Sequence, residues 1–145
     1  MSTSLILLVL FTVGAVGFAA WKGGPAERIA AAVVLTNMLL GLVARSYFPQ
    51  LVDTTHFVND GLAAVVLLAV TIRYGAPWMG GVMLFYAAQF AMHSYYLVTA
   101  RPNDYLHALI NNINFAGVIW CLIIGAAVAW RRRVRRRKAA ATSAT

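Results

Sequence analysis

The sequence predicts an all-α fold, a transmembrane helical bundle of five spans, and three observations carry that expectation. Of the 145 residues, 61% are hydrophobic and only 11% are charged, against roughly 25% charged in an average soluble domain. The apolar residues fall in long blocks near the roughly 20 residues that cross a hydrocarbon core, not in the one-sided stripes of a water-facing helix. Short turns bearing glycine or proline separate several of these blocks, which makes successive helices antiparallel neighbours. Little chain is left for a domain outside the membrane.

The first span is expected over residues 4–21 and the second over 26–47. Between them, Lys22-Gly23-Gly24-Pro25 ends one helix and places a proline in the first turn of the next, where its missing N–H is harmless. The third block is the weakest, because its uncharged stretch, Gly61 to Ile72, is too short by itself. A start at the cap signal Asp53-Thr54-Thr55 and an end near Tyr74 give a span over 54–74, with Asp60 inside the membrane. Tyr74-Gly75-Ala76-Pro77 precedes a fourth span over 78–99, and Arg101-Pro102-Asn103-Asp104 precedes a fifth over 105–130, with Asp104 as its N-cap. Residues 1–130 are therefore expected to form the bundle. Residues 131–145 form a basic tail whose Ala/Ser/Thr end, after Lys138, is expected to be disordered. The first block lacks the positive n-region of a signal peptide and is expected to be retained. Trp21, Tyr47, Tyr74, Trp78, Tyr95, Tyr96, Tyr105 and Trp130 lie near the expected span ends, as an aromatic belt requires.

Charge sets the expected orientation. The net charge of +8 comes largely from the run Arg131, Arg132, Arg133, Arg135, Arg136, Arg137 and Lys138. With that run in the cytoplasm, five spans put the N-terminus outside. Lys22, Arg28 and Arg73 then join the run, while only Arg45 and Arg101 lie outside, with Asp53, Asp104 and the outer-half Asp60. This asymmetry obeys the positive-inside rule. The run is expected to hold anionic lipid at the cytoplasmic face, and no nucleic acid is expected, since no base-reading context accompanies it. A lone cysteine, Cys121, excludes an internal disulfide and a CxxC pair, and reads as a packing residue.

The sharpest feature is a polar layer. His56 and Asp60 are four apart on the third span, with Asn59 adjacent; Gln89 and His93 repeat that spacing on the fourth. His107, Asn111 and Asn114 share a face of the fifth, beside Asn112. At roughly 1.5 Å per residue, Asp60, His93 and Asn111 each lie about 9–10 Å below the outer ends of their spans. An acid at that depth costs about 2.5–3.5 kcal/mol on insertion scales and normally has a partner. Asp60 is expected to pair with His93, with Asn111 completing the hydrogen bonds and Asn37 of the second span extending the layer. Such groups suit an outward-facing site for a metal, a haem, a quinone or a proton-coupled substrate. They equally suit interhelical glue worth about 0.6–2 kcal/mol per contact.

Other chemistries find less support. No HExxH is present, no motif specifies a cofactor, and no catalytic residue is singled out. Ser94 follows His93 directly, so on a helix the two diverge by about 100° and cannot form a nucleophile–base pair. Gly14 with Gly17, Gly80-Gly81, and Gly117 with Gly125 read as close-packing surfaces. Glu27 and Arg28 read as helix-start residues, with partner docking as the alternative.

The stretch Gly23-Gly24-Pro25-Ala26-Glu27-Arg28 before an Ala/Val-rich span, then Asn59-Asp60-Gly61-Leu62, Arg73, Pro77-Trp78, Gln89 and His93, resembles small multi-span inner-membrane proteins of alphaproteobacterial type. The likeness covers about residues 20–98. It implies a bacterial inner, or cytoplasmic, membrane as the home and carries no activity with it. The expected function is that of a small accessory or assembly subunit, more a binding partner than an enzyme, which packs against other membrane proteins or copies of itself. The alternative is a ligand-, metal- or haem-binding or proton-coupled transport protein that uses the outer polar layer.

Overall fold

The computed structural model describes residues 3–142, with side-chain exposure from residue 6. These residues form five α-helices: α1 Thr3–Lys22, α2 Pro25–Tyr47, α3 Val52–Tyr74, α4 Pro77–Val98 and α5 Tyr105–Thr142. A single 3-10 turn, Pro49–Leu51, lies between α2 and α3. Three of the helical segments, Pro25–Tyr47, Pro49–Tyr74 and Tyr105–Thr142, are long and apolar enough to cross a membrane; Ile6–Lys22 is a shorter apolar helix. In α4 the polar side chains of Gln89, His93 and Ser94 dilute the apolar sequence.

Local chemistry explains the boundaries. Pro25 and Pro77 open α2 and α4, where a fixed φ favours helix and no donor is lost. Gly75 closes α3 at φ +59°, a left-handed position open to glycine at little cost. Asp104 caps α5: its Oδ1 accepts the backbone N–H of His107 at 2.8 Å. The cap expected at Asp53 is not formed. α3 begins at Val52 without a side-chain cap, and the Asp53 carboxylate instead accepts a bond from Asn103 Nδ2 at 2.6 Å, tying the α2–α3 and α4–α5 connections together.

The helices close into a ring in chain order, each packed on the next, with α1 against α5 and α2 reaching α5 across the centre. Four antiparallel steps, an even number, make α1 and α5 parallel. The ring contacts agree: Phe11 meets Trp120 and Phe18 meets Trp130, both numbers rising together. Small residues permit the close approach of α1 and α2, with Ala15, Ala19, Ala26, Ala30 and Ala31 all buried. Gly117 faces the Phe85 ring, Gly125 the Trp78 ring and Gly81 the Cys121 sulfur, so α4 and α5 approach where a Cβ would intrude. Gly14, Gly17 and Gly80 differ from expectation: nothing lies near them, so they are not packing glycines.

The core divides by depth. Towards the end holding Lys22 and Arg73, Val34, Leu67, Val70, Met79, Val82, Leu122 and Ala126 form a dry interior. There Glu27 is buried; its Oε2 accepts the Gly24 N–H at 2.8 Å and its Oε1 accepts Trp78 Nε1–H at 3.0 Å. Towards the opposite end the interior becomes polar.

The chain after Trp130 also departs from the expected break. α5 continues as one helix to Thr142, taking in Ala139 to Thr142, where disorder was expected. Its Arg, Lys and Ala residues are strong helix formers and no Gly or Pro interrupts them. Arg133 donates to the Gly23 carbonyl at 2.9 Å and fastens this extension to the α1–α2 turn. Residues 143–145 of the expected tail lie outside the described residues.

Candidate functional site

The polar end of the bundle is assembled by four helices. α3 contributes His56, Asn59 and Asp60; α4 contributes Gln89 and His93; α5 contributes His107, Asn111 and Asn114; α2 contributes Asn37. Asp60 and His93 are 2% and 4% exposed, so both are withdrawn from solvent and lipid alike. Asp60 Oδ2 and His93 Nε2 lie 3.2 Å apart. That distance suits an ion pair, yet neither atom makes an aligned hydrogen bond to a protein group. A proton on either partner satisfies the contact, as an imidazolium facing a carboxylate or as an acid facing an imidazole.

Around this pair the helices are cross-tied. Asn37 Nδ2 donates to Asp60 Oδ1 at 2.9 Å, and Asn59 Nδ2 donates to the Asn37 carbonyl at 2.9 Å, so α2 and α3 are joined twice at one level. His93 Nδ1 lies 3.3 Å from His107 Nε2, and the His56 ring stacks on His93 at 5.7 Å. His93 is thus the hub, with a carboxylate at one ring nitrogen and an imidazole at the other. Asn111 does not complete the Asp60 pair as expected. It accepts from Gln89 Nε2 at 2.7 Å, because α5 lies against α4 on the side of Gln89, while α2 supplies the amide that reaches Asp60.

Contacts continue outward from His107. Its ring meets the Tyr96 ring at 4.7 Å, and the Tyr96 hydroxyl donates to Asp104 at 2.8 Å. The His107 backbone N–H, first, and the Tyr96 hydroxyl, second, hold the Asp104 carboxyl down at about 2.

A cavity of about 140 Å³ opens beside this network. Asn37, His56, Asp60, Gln89 and Asn111 supply its polar wall; Leu8, Met38, Leu42 and Phe115 supply the apolar one, and the exposed Arg45 also lines it. Gly41 of α2 makes room for the His56 ring: a Cβ there would lie 3.0 Å from His56 Cε1. A cavity of this size accommodates a single ring. A smaller void of about 10 Å³ adjoins Asp60 and is lined by Tyr86, Gln89 and Asn114, among others.

The imidazoles touch one another and do not converge on a shared empty point. Among the described residues, no group of three or more His, Cys, Asp or Glu side chains is arranged to hold a metal ion. Cys121 is half-buried beside Gly81 and lines neither space.

Sequence reasoning brought the layer to one depth but missed three of its members. Tyr86 is buried with an unpartnered hydroxyl, and Tyr96, expected in an interfacial belt, is buried against His107. Residues 86, 89, 93 and 96 are spaced three, four and three along α4, so helical periodicity could have placed all four on one face. Arg45 of the cavity wall carried no such signal.

The chain matches no known family model, no curated protein and no solved structure.

Proposed function

We propose that the protein is a five-span protein of a bacterial cytoplasmic membrane that binds a small hydrogen-bonding ring molecule, of the size and chemistry of a quinone head group, in an outward-facing chamber. One observation carries this reading: the buried Asp60, paired with His93, lines a cavity of about 140 Å³ with polar and apolar walls. An accessory subunit held by packing alone needs no buried carboxylate beside an open space, and such a group is expensive in a membrane. Asn111, Gln89 and His56 would meet ring oxygens, Phe115 and Met38 the ring face, and the Asp60–His93 pair would exchange a proton with the ligand. The dry core on the other side of the bundle supports access from one side only.

Five spans place the N-terminus outside and the α5 extension in the cytoplasm. The charge asymmetry supports this orientation, and so does the purely basic character of that extension, which would lie on anionic lipid. The exposed apolar side chains around all five helices suit a lipid annulus.

The test is a titration of the purified protein in lipid nanodiscs with a water-soluble short-chain quinone and its quinol, read as thermal stabilisation. Saturable stabilisation is expected, and it should vanish in Asp60→Asn. If Asp60→Asn fails to accumulate, His56→Gln carries the test, because His56 is half-buried and its contact with the layer is a ring stack. No stabilisation of the wild type by either compound, or equal stabilisation of the variants, removes the reading.

A further inference from the structure

Beneath the chamber, four buried polar atoms make no aligned hydrogen bond to the protein: Tyr86 Oη, Gln89 Oε1, Asn114 Nδ2, and Asp60 Oδ2, whose one neighbour in reach is the equally unsatisfied His93 Nε2 at 3.2 Å. Their side chains belong to three helices, and each residue is between 2% and 7% exposed. All four residues line the same void of about 10 Å³. Buried polar groups in folded proteins are nearly always satisfied, so three orphans and a carboxylate oxygen with acceptor capacity to spare around one void call for an occupant. The void matches about one water in volume, and a buried water needs two to four polar partners.

The donor and acceptor inventory selects the occupant. The Gln89 amide is oriented by its Nε2–H bond to Asn111, which leaves Oε1 as an acceptor aimed elsewhere. Asp60 Oδ2 is a second acceptor. Asn114 Nδ2 is a donor, and the Tyr86 hydroxyl donates once. Two acceptors and two donors are what one water molecule uses in full. A bare cation would face the Asn114 N–H groups, and an anion would face the Asp60 carboxylate.

We propose that this void is a binding site for one ordered water, which donates to Asp60 and Gln89 and accepts from Asn114 and Tyr86. The water is the innermost member of the polar network, since Val118 closes the void and Val82, Leu122 and Ile119 fill the core beyond it. It joins α3, α4 and α5 at one point, in addition to the Asp60–His93 and Gln89–Asn111 contacts. The site does not depend on what the larger chamber binds.

X-ray radiolytic footprinting of the wild-type protein in nanodiscs tests this, because hydroxyl radicals formed from an ordered internal water label the side chains around it. Tyr86 is expected to be labelled despite its burial, while Leu67 and Leu122, equally buried but not lining this void, stay unlabelled. In Asn114→Leu, which is near-isosteric and removes a donor, the Tyr86 labelling should be lost. A wild-type Tyr86 as silent as Leu67 would overturn the proposal, as would labelling that persists unchanged in Asn114→Leu. If Asn114→Leu does not fold, Gln89→Leu replaces it with the same two outcomes.

Discussion

Glu27 shows how much a single side chain holds here. Its two carboxylate oxygens accept one bond each, from the Gly24 backbone and from the Trp78 indole, so it caps α2 and fixes the start of α4 at once. Replacing it with alanine strands two donors in a buried setting, at about 1–3 kcal/mol. Glu27→Ala should therefore shift the unfolding transition in mixed detergent clearly to lower denaturant. Glu27→Gln, which keeps a carbonyl acceptor, should lose less than half as much. Equal losses would mean that charge, not hydrogen bonding, sets the contribution. The sequence marks Glu27 as a helix-start residue and goes no further. Its second partner lies 51 positions away, and no local pattern connects the two.

At the scale of elements, the α4–α5 interface depends on glycines that face rings. Gly117→Leu and Gly125→Leu should each cost about 1–3 kcal/mol by overpacking against Phe85 and Trp78. Gly80→Ala should instead raise stability by up to about 1 kcal/mol, since the site is open and alanine is the better helix former. Thermal melts of the three variants in one detergent separate these signs.

The start of α5 carries a pH dependence. The Asp104 carboxyl is lowered in the folded protein from 3.8 to about 2, so the charged form is the one that stabilises the cap. Its contribution is complete above the unfolded value and disappears as pH falls through the folded one. The stability difference between wild type and Asp104→Ala should therefore be constant above pH 4 and shrink between pH 4 and about 2. A difference unchanged down to the acid limit would show that the carboxylate charge is not what caps the helix.

For the whole molecule, the proposed orientation makes a direct prediction. In a Cys121→Ser background, Thr3→Cys should react with a membrane-impermeant maleimide on intact cells, and Ala141→Cys should react only after permeabilisation. The reverse result, or labelling of both from one side, would overturn the odd number of spans. The ring closure also bears on the tail. Parallel α1 and α5 bring Lys22, Trp21 and Trp130 into one cluster, with the Lys22 ammonium 3.7 Å and 5.2 Å from the two indole centres. Arg133 lies beside that cluster on the Gly23 carbonyl. Truncation after Trp130 should weaken binding of the reconstituted protein to anionic vesicles and lower its melting temperature as well, because a helix-fastening bond goes with the charges.

By itself, the sequence determined the helical class, the helix limits to within one or two residues for α1 to α4, and the common depth of the acid, imidazole and amide groups. These are local matters: run length, turn chemistry and rise per residue follow from neighbours in the chain. Only the tertiary structure decided that Asp60 takes Asn37 while Asn111 takes Gln89. The same holds for the meeting of His93 with His107 and for the side-by-side run of α1 and α5. Those choices depend on how each helix is rotated about its own axis when its neighbours pack. That rotation is set by side chains far apart in sequence, where an alanine meets an alanine or a glycine meets a ring.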